Sequence, residues 1–336
     1  MFSKIYEGLK KFIRDNWLFL IVAIFLFVCA FGRVPYEVNM PGGTIDLENR
    51  VTVNGEEADI KGSFNMAYVT VAQGSIPNVL LGLLLPDWDI SKISESTYEN
   101  ETIDDANMRS KLYLEQSKNY ATVVAMDAAG IEYTISNKIN YVVYIAKKAH
   151  SDFKIGDNII ECEDKVVADI NDVVAIVQTH NVGDQLNFKV MRDNKEVSTY
   201  AEVYEEDGKK YVGISAITTF DISSDMKVDI SSRSSESGPS GGLMMTLMVY
   251  NALTHQDMTH GKKIVGTGTI SLDGSVGEIG GVKYKVMGAH KEKADVFLVP
   301  EGNYEEAMEV KKKKKYNMEI VSVKTLQDAI DYLEGL

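Results

Sequence analysis

A serine and a lysine stand in two glycine-rich turns of the C-terminal part of the sequence. Ser240 lies within the run Ser-Gly-Pro-Ser-Gly-Gly at 237–242, and Lys283 follows Gly-Gly-Val at 280–282. A serine hydroxyl becomes a useful nucleophile when a base removes its proton, and a neutral lysine amine can be that base. The pair therefore predicts a hydrolase that needs no histidine, metal or nucleotide.

The residues around Ser240 favour attack on a peptide bond. Gly238 and Gly241 form a turn with few side chains, which lets a substrate backbone approach closely. The helix predicted from Leu243 points its first N–H groups and its positive end at the serine, which suits an oxyanion. An isolated serine at this place is also typical of an ordinary helix N-cap. The assignment therefore depends on the lysine.

A lysine can accept a proton only if its pKa is lowered, and burial among apolar side chains lowers it. Val282 and Val286 are close to Lys283 in sequence. Lys285 would point about 200° away from Lys283 on a helix, so we expect Lys283 to be the base; a solvated lysine is the alternative. Thr267, in the predicted strand 265–270, is expected to hold the amine by a hydrogen bond, unless it is a plain strand threonine.

Four sequence blocks together resemble the proteolytic domain of Lon proteases. They are Gly-Pro-Ser-Gly-Gly at 238–242, Gly-Thr-Gly-Thr-Ile at 266–270, the segment 274–283 that ends in Ile-Gly-Gly-Val-Lys, and Phe-Leu-Val-Pro at 297–300. The resemblance covers most of 210–336. It implies that Ser240 is the nucleophile, that Lys283 is the general base and that Thr267 supports the lysine.

The sequence departs from this family at several points. Many Lon domains have aspartate where Ser237 stands and glutamate where Thr269 stands. The chain contains no GxxxxGK[ST] motif, so we expect no ATPase and no threading of large folded substrates. Its five histidines form no HExxH or His-x-x-x-His pair. We therefore predict no metal, nucleotide or organic cofactor.

Residues 131–205 resemble a PDZ domain in the order of their predicted elements. A strand at 141–145, a Gly-Asp turn at 156–157 and a helix at 169–179 precede an alternating strand at 186–190. PDZ domains bind extended peptides as an added strand. The carboxylate-binding loop is expected near 131–140, where no Gly-Leu-Gly-Phe-like sequence occurs. Carboxylate capture stays open, and a spacer without a ligand is the alternative.

The N-terminal segment resembles a membrane anchor. Four basic residues, at positions 4, 10, 11 and 14, precede an uncharged apolar run at 17–31 that only Arg33 follows closely. We predict a cytoplasmic tail at 1–16, a transmembrane helix at 17–32 and an exported body. A signal peptide cleaved near Ala30-Phe31-Gly32 is the alternative.

The region between the predicted anchor and the PDZ-like domain, 34–130, is predicted to be rich in strands and to end in a linking helix at 103–129. The leucine-rich run at 79–85 predicts a buried helical turn, with a membrane or partner contact as the alternative. Together with a C-terminal α/β domain of the Lon type at 207–336, this gives an α+β multi-domain chain. The net charge of −14 argues against nucleic acid as a partner. Two distant cysteines define no disulfide framework.

The whole chain resembles the small, membrane-anchored, PDZ-containing Lon-like proteases of Gram-positive bacteria. That resemblance implies an ATP-independent serine endopeptidase outside the cell membrane that cleaves short or unfolded secreted peptides, including signal-peptide or pheromone processing. The expected partners are such peptides and, through the anchor, membrane lipid. The peptide, the cleavage motif and the oligomeric state stay open. A non-catalytic, membrane-tethered PDZ adaptor is the alternative.

Overall fold

A computed structural model of the protein describes residues 2–99 and 101–336. Met1, the first residue of the predicted basic tail, and Asn100, in the predicted membrane-proximal region, lie outside the described residues. The chain divides into two compact units. The smaller unit comprises Met1–Pro41 and Thr70–Ser96, and the larger unit comprises Gly42–Val69 and Thr97–Leu336.

The helices of the described residues are α1 (Phe2–Asp15), α2 (Trp17–Phe31), α3 (Ile76–Leu84), α4 (Ile93–Ser96), α5 (Ile103–Ala129), α6 (Ile170–Thr179), α7 (Gly242–Thr254), α8 (Val282–Lys291), α9 (Glu301–Lys314) and α10 (Leu326–Glu334). The long helix α5 starts at a capping box formed by Thr102 and Asp105 and ends at Gly130. The φ angle of Gly130 is 69°, a conformation that favours glycine at the C-cap of a helix.

The strands are β1 (Arg33–Asp46), β2 (Val51–Val53), β3 (Ser63–Ser75), β4 (Asp89–Lys92), β5 (Thr134–Ile145), β6 (Asn158–Cys162), β7 (Lys165–Val166), β8 (Gln185–Arg192), β9 (Lys195–Glu202), β10 (Tyr204–Glu206), β11 (Lys209–Tyr211), β12 (Ile214–Ser223), β13 (Val228–Ile230), β14 (Lys263–Gly266), β15 (Thr269–Ile270), β16 (Val276–Gly277), β17 (Val296–Pro300) and β18 (Glu319–Val323).

The predicted transmembrane segment forms α2 in the smaller unit. Across the described residues, no single helix is both long and apolar enough to cross a membrane. Ile5–Asp15 and Trp17–Cys29 reach that length and apolarity only as a pair, and the pair is bent by 79°. The anchor stays a prediction.

Helix α3 contains the leucine-rich run, and the prediction that this run is buried is wrong. Ser75 caps the helix by accepting a hydrogen bond from the N–H of Asn78. Only Gly82 is buried, because this position faces the strands of its own unit: an added Cβ would lie 2.9 Å from Ile90 Cγ1. The leucines on the other faces are exposed. The apolar composition of this run predicts a helix whose leucines must be shielded from water. It does not show whether other residues of the protein shield them.

In the larger unit, the main sheet has the order β18-β17-β14-β3-β1. Strand β14 pairs in parallel with β17 and with β3. Alternate residues of β17 enter two different cores: Val296 and Leu298 pack with α5, α7 and α10, whereas Phe297 and Val299 pack with α8 and α9. This alternation follows from the two-residue period of a strand. Helices therefore cover both faces, as expected for the predicted α/β domain.

The structure draws domain boundaries that differ from the predicted ones. Strand β2 pairs with β13, β3 pairs with β14, and α5 packs against α7. Parts of the predicted membrane-proximal region 34–130 thus belong to the core of the α/β domain. Pairing between strands about 200 residues apart leaves no local pattern in the sequence, so periodicity alone does not show it.

A second sheet of the larger unit has the order β12-β5-β6-β8-β9, and β7 pairs with β6. It shares a separate core with α6, which includes Val142, Phe188 and Val177. The predicted PDZ-like segment 131–205 supplies most of this sheet. Strand β12 lies within the predicted domain at 207–336 but is the terminal strand of this sheet.

Candidate active site

Ser240 lies in the turn that leads into α7. Apolar side chains of this helix are buried on nearly every side, which fixes the helix in the core. The main-chain carbonyl of Ser240 accepts hydrogen bonds from the N–H of Gly268, at 2.8 Å, and from Thr267 Oγ1, at 3.0 Å. The turn is thus tied to the segment that directly follows β14.

The amine of Lys285, on α8, lies against this turn. Its Nζ is 2.8 Å from Ser240 Oγ and 3.0 Å from Thr267 Oγ1. Lys285 is 3% exposed and Thr267 is 0% exposed. The hydroxyl of Thr267 accepts from the amine while it donates to the Ser240 carbonyl, so one side chain holds both partners in place.

Burial lowers the pKa of the Lys285 amine from its ordinary value of 10.5 to about 8. The cause is desolvation, because the charged ammonium loses its water. With this pKa about a tenth of the molecules carry a neutral amine at pH 7, against fewer than about one in a thousand for an ordinary lysine. Lys285 can therefore act as a proton acceptor near neutral pH.

The prediction that Lys283 lies beside Ser240 is wrong. Lys283 is half-buried, its N–H donates to Glu306 Oε1 at 3.3 Å, and its Nζ lies 5.2 Å from the centre of the Tyr284 ring. Two residues of a helix are about 200° apart, so Lys283 and Lys285 point to nearly opposite sides.

A signal in the sequence could have found Lys285. Val282, Val286 and Ala289 are all buried in the core beneath α8. With Lys285 they follow the spacing i, i+3, i+4, i+7, which defines one apolar stripe of a helix. Lys283 lies outside that stripe.

The two glycines predicted to support the site are needed in the turn for different structural reasons. The φ angle of Gly238 is 86°, and its N–H donates to the carbonyl of Ser110 on α5 at 2.8 Å. An added Cβ at Gly241 would lie 2.6 Å from Met66 Sδ. Gly238 thus permits the turn, whereas Gly241 makes room beside β3.

Helix α5 holds the serine turn from behind, a role that the sequence did not predict. Ser117 is buried, and its hydroxyl donates to the carbonyl of Pro239 at 3.2 Å. The carbonyl of Ser110 accepts from Gly238 as described above. The two residues that precede Ser240 are therefore both held by one helix.

Replacing Ser117 by alanine is expected to lower the free energy of unfolding by about 0.5–1.5 kcal/mol, because the carbonyl of Pro239 loses one of its two donors and keeps only the N–H of Gly242. The less constrained turn should also lower kcat more than it changes KM. Urea unfolding and peptide-cleavage kinetics measure the two effects. Ser110→Ala is the matched control, because Ser110 uses only its main chain. Equal effects of the two substitutions would contradict the positioning role.

Ser240 opens onto a cavity of about 530 Å³ in the larger unit. Strands β1 and β3 form one wall, with Thr44–Asp46 and Met66–Val69, and the segment before Ser240 forms another. An ion pair between Arg50 and Glu236, at 3.1 Å, lies at this segment. In the described part of the chain, no cluster of three or more His, Cys, Asp or Glu side chains could hold a metal ion.

A family model described as the Lon protease (S16) C-terminal proteolytic domain matches residues 164–334, just over half of the chain. The chain belongs to this family. The match with the Lon proteolytic domain includes Ser240, Thr267 and Lys285, and it begins inside the predicted PDZ-like segment.

Curated Lon proteases match a shorter part of the sequence. The Lon protease of Campylobacter concisus is 35% identical over 94 residues, which are 28% of this chain and 11% of that protein. The Lon protease of Mesomycoplasma hyopneumoniae is 31% identical over 96 residues, which are 29% of this chain and 11% of that protein. The chain thus spans about a tenth of the length of the curated Lon proteases that it matches.

Solved structures similar to part of the chain include two PDZ domains. The PDZ domain of the SdrC-like protein from Listeria monocytogenes is 15% identical, with a TM-score of 0.23, over 25% of this chain and 93% of that one. The PDZ domain of the SdrC-like protein from Listeria innocua is 18% identical, with a TM-score of 0.22, over 24% and 93%.

Proposed function

We propose that the chain is a serine endopeptidase in which Ser240 is the nucleophile and Lys285 is the general base. The observation that carries this proposal is the 2.8 Å contact between Ser240 Oγ and a buried amine whose pKa is lowered to about 8. Membership of the Lon protease family supports it. The Ser-Lys pair predicted from the sequence is retained, with Lys285 in place of Lys283.

The geometry is suited to each step of the proposed peptide-bond hydrolysis. The neutral amine of Lys285 takes the proton of Ser240 as Oγ attacks the carbonyl carbon. The ammonium then gives that proton to the leaving amine of the substrate, which leaves an acyl-enzyme ester. A water molecule then gives a proton to the same lysine and attacks the ester carbonyl. The bond to Oγ breaks, the ammonium returns the proton to Oγ, and the product leaves as a carboxylic acid. Thr267 orients the amine throughout, because its hydroxyl is also bonded to the Ser240 carbonyl.

The N–H groups of Ser240 and Gly241 are suited to hold the oxyanion. The next two N–H groups of the turn are already used: Gly242 donates to Pro239 and Leu243 donates to Gly268. No acceptor in the described part of the chain pairs with those of Ser240 and Gly241. Main-chain donors held by a buried helix stabilise developing negative charge without rearranging.

The proposed substrates are short or unfolded peptides, and cleavage is proposed to need no ATP. The sequence carries no nucleotide-binding GxxxxGK[ST] motif that would drive unfolding. We further propose that α2 tethers the chain to a cell membrane, with the N-terminus in the cytoplasm and the protease domain outside.

The second sheet is proposed to hold the peptide as an added strand on β12. This strand ends its sheet, and α6 lies beside it. The side chains of Asn119 and Gln116 on α5 already form hydrogen bonds with main-chain groups of Phe220 and Thr218 on β12. The segment at 214–217 is therefore the part of the edge proposed for the peptide.

The full chain in detergent is expected to cleave an unstructured peptide in the presence of a chelator and without nucleotide. Ser240→Ala is expected to abolish this cleavage, because no other step can proceed without the nucleophile. Mass spectrometry of the products measures cleavage by the unsubstituted chain and by Ser240→Ala. Unchanged cleavage by Ser240→Ala would refute the proposal, and peptide binding without cleavage by the unsubstituted chain would favour the adaptor.

A further inference from the structure

Two helices of the smaller unit that contact each other, α2 and α3, expose apolar side chains. Side chains of α2 are exposed on every face: Phe19 is 67% exposed, Ile24 62% and Phe27 63%. Helix α3 contacts α2 and adds exposed leucines of its own, with Leu83 71% and Leu84 78% exposed. Monomeric soluble proteins rarely expose contiguous apolar patches of this kind, so the patch marks an interaction surface.

We propose that α3 is a second membrane-contacting element, whose leucines lie in the interfacial region of a lipid bilayer beside α2. The orientation of α3 supports this. Gly82 packs on Ile90 and Val38 of its own unit, and the leucines at 80, 81, 83 and 84 point away from those strands. The helix thus packs on its own unit at Gly82 and exposes leucines on its other faces, where they can lie among lipid chains.

Charge favours a lipid surface over a protein partner. No charged residue occurs from Thr70 to Pro86. The smaller unit has six basic and six acidic residues, whereas the whole chain has a net charge of −14. The negative charge that would repel anionic lipid therefore belongs to the larger unit.

Helix α1 carries basic residues that can contact anionic lipid headgroups. Ile5, Leu9 and Phe12 follow a helical spacing of one apolar face, and Lys10 and Arg14 lie on the opposite face. A basic amphipathic helix of this type lies in the plane of a bilayer interface. The 79° bend to α2 is compatible with α1 lying in that plane while α2 enters the bilayer.

A protein partner or a second copy of the chain fits this surface less well. Such a partner covers one stripe of a helix. Helix α2 is apolar and exposed on all sides, and lipid chains can contact it on all of them. The inference rests on the proposed membrane location of the chain and is independent of the chemistry at Ser240.

Fluorescence quenching by brominated acyl chains tests the inference in the full chain. The two native tryptophans are replaced by Trp17→Phe and Trp88→Phe, and a single tryptophan is introduced as Leu84→Trp on α3. In vesicles that contain anionic lipid, its emission is expected to fall by roughly half, since an interfacial helix buries its apolar face about 5–10 Å deep.

Two matched variants make the outcome decisive. Phe25→Trp on α2 reports the proposed membrane location, and Leu272→Trp, which replaces an exposed leucine of the larger unit, should stay unquenched. Quenching of Phe25→Trp without quenching of Leu84→Trp would overturn the role of α3 and leave the anchor intact. Absence of quenching in both would overturn the inference together with the membrane location. Cleavage of a soluble peptide by each variant checks the fold and tests Ser240 separately.

Discussion

Replacing Lys285 by methionine is expected to lower kcat for peptide cleavage by about 10⁴-fold or more, whereas Lys283→Met is expected to leave kcat within about twofold. The loss follows because Ser240 keeps its proton when the amine 2.8 Å away is removed. Lys283 is the matched control: it has the same residue type, lies two positions away on the same helix and is only half-buried. Equal losses in the two variants would contradict the assignment.

A stability measurement distinguishes a Lys285→Met variant that is folded but inactive from one that is unfolded. The pKa of Lys285 is about 8 in the folded chain and near 10.5 when unfolded, so the unfolded chain binds more protons between these values. The burial penalty is therefore fully present below pH 8 and disappears as pH rises towards 10.5. Lys285→Met removes it, and the free energy of unfolding at pH 7 is expected to rise by about 1–3 kcal/mol, after loss of two hydrogen bonds. Urea unfolding measures this change.

The logarithm of kcat/KM is expected to rise by about one per pH unit below an apparent pKa of about 8 and to level above it. The sign follows because only the neutral amine can accept the serine proton, and neutral Lys285 accumulates as pH rises. Steady-state kinetics with a peptide that has no titrating groups between about pH 6 and pH 9 measures the profile.

The same profile is expected for Lys283→Met, because Lys283 is not part of the pair. A profile that is flat over this range, or that falls with rising pH, would rule out a lysine base.

Local patterns in the sequence predicted the serine turn, Thr267 and most elements of the α/β domain. The blocks around Ser240 and Thr267 define a buried helix and a strand, and these elements place the two hydroxyls together. The sequence prediction of Lys283 as the base is wrong because the environment of a helical lysine is set by residues on its own helical face, and not by its neighbours in sequence. The buried stripe through Val282 and Val286 decides it.

Other features depend on contacts that local sequence patterns do not encode. The support of the serine turn by Ser117 requires α5 to pack against α7, and β3 joins the main sheet through a strand about 200 residues away. The exposure of α3 depends on what surrounds it, because one run of leucines is compatible with a buried helix and with a lipid-facing one.

Labelling of the full chain with a fluorophosphonate, a reagent that forms a phosphonate ester with activated serines as fluoride leaves, tests the central claim most directly. Peptide mapping is expected to place the adduct on Ser240, at a rate that rises with pH through about 8. Lys283→Met should be labelled at the same rate, and Lys285→Met should stay unlabelled. An adduct on another serine, or equal labelling of Lys285→Met, would contradict a Ser240–Lys285 pair.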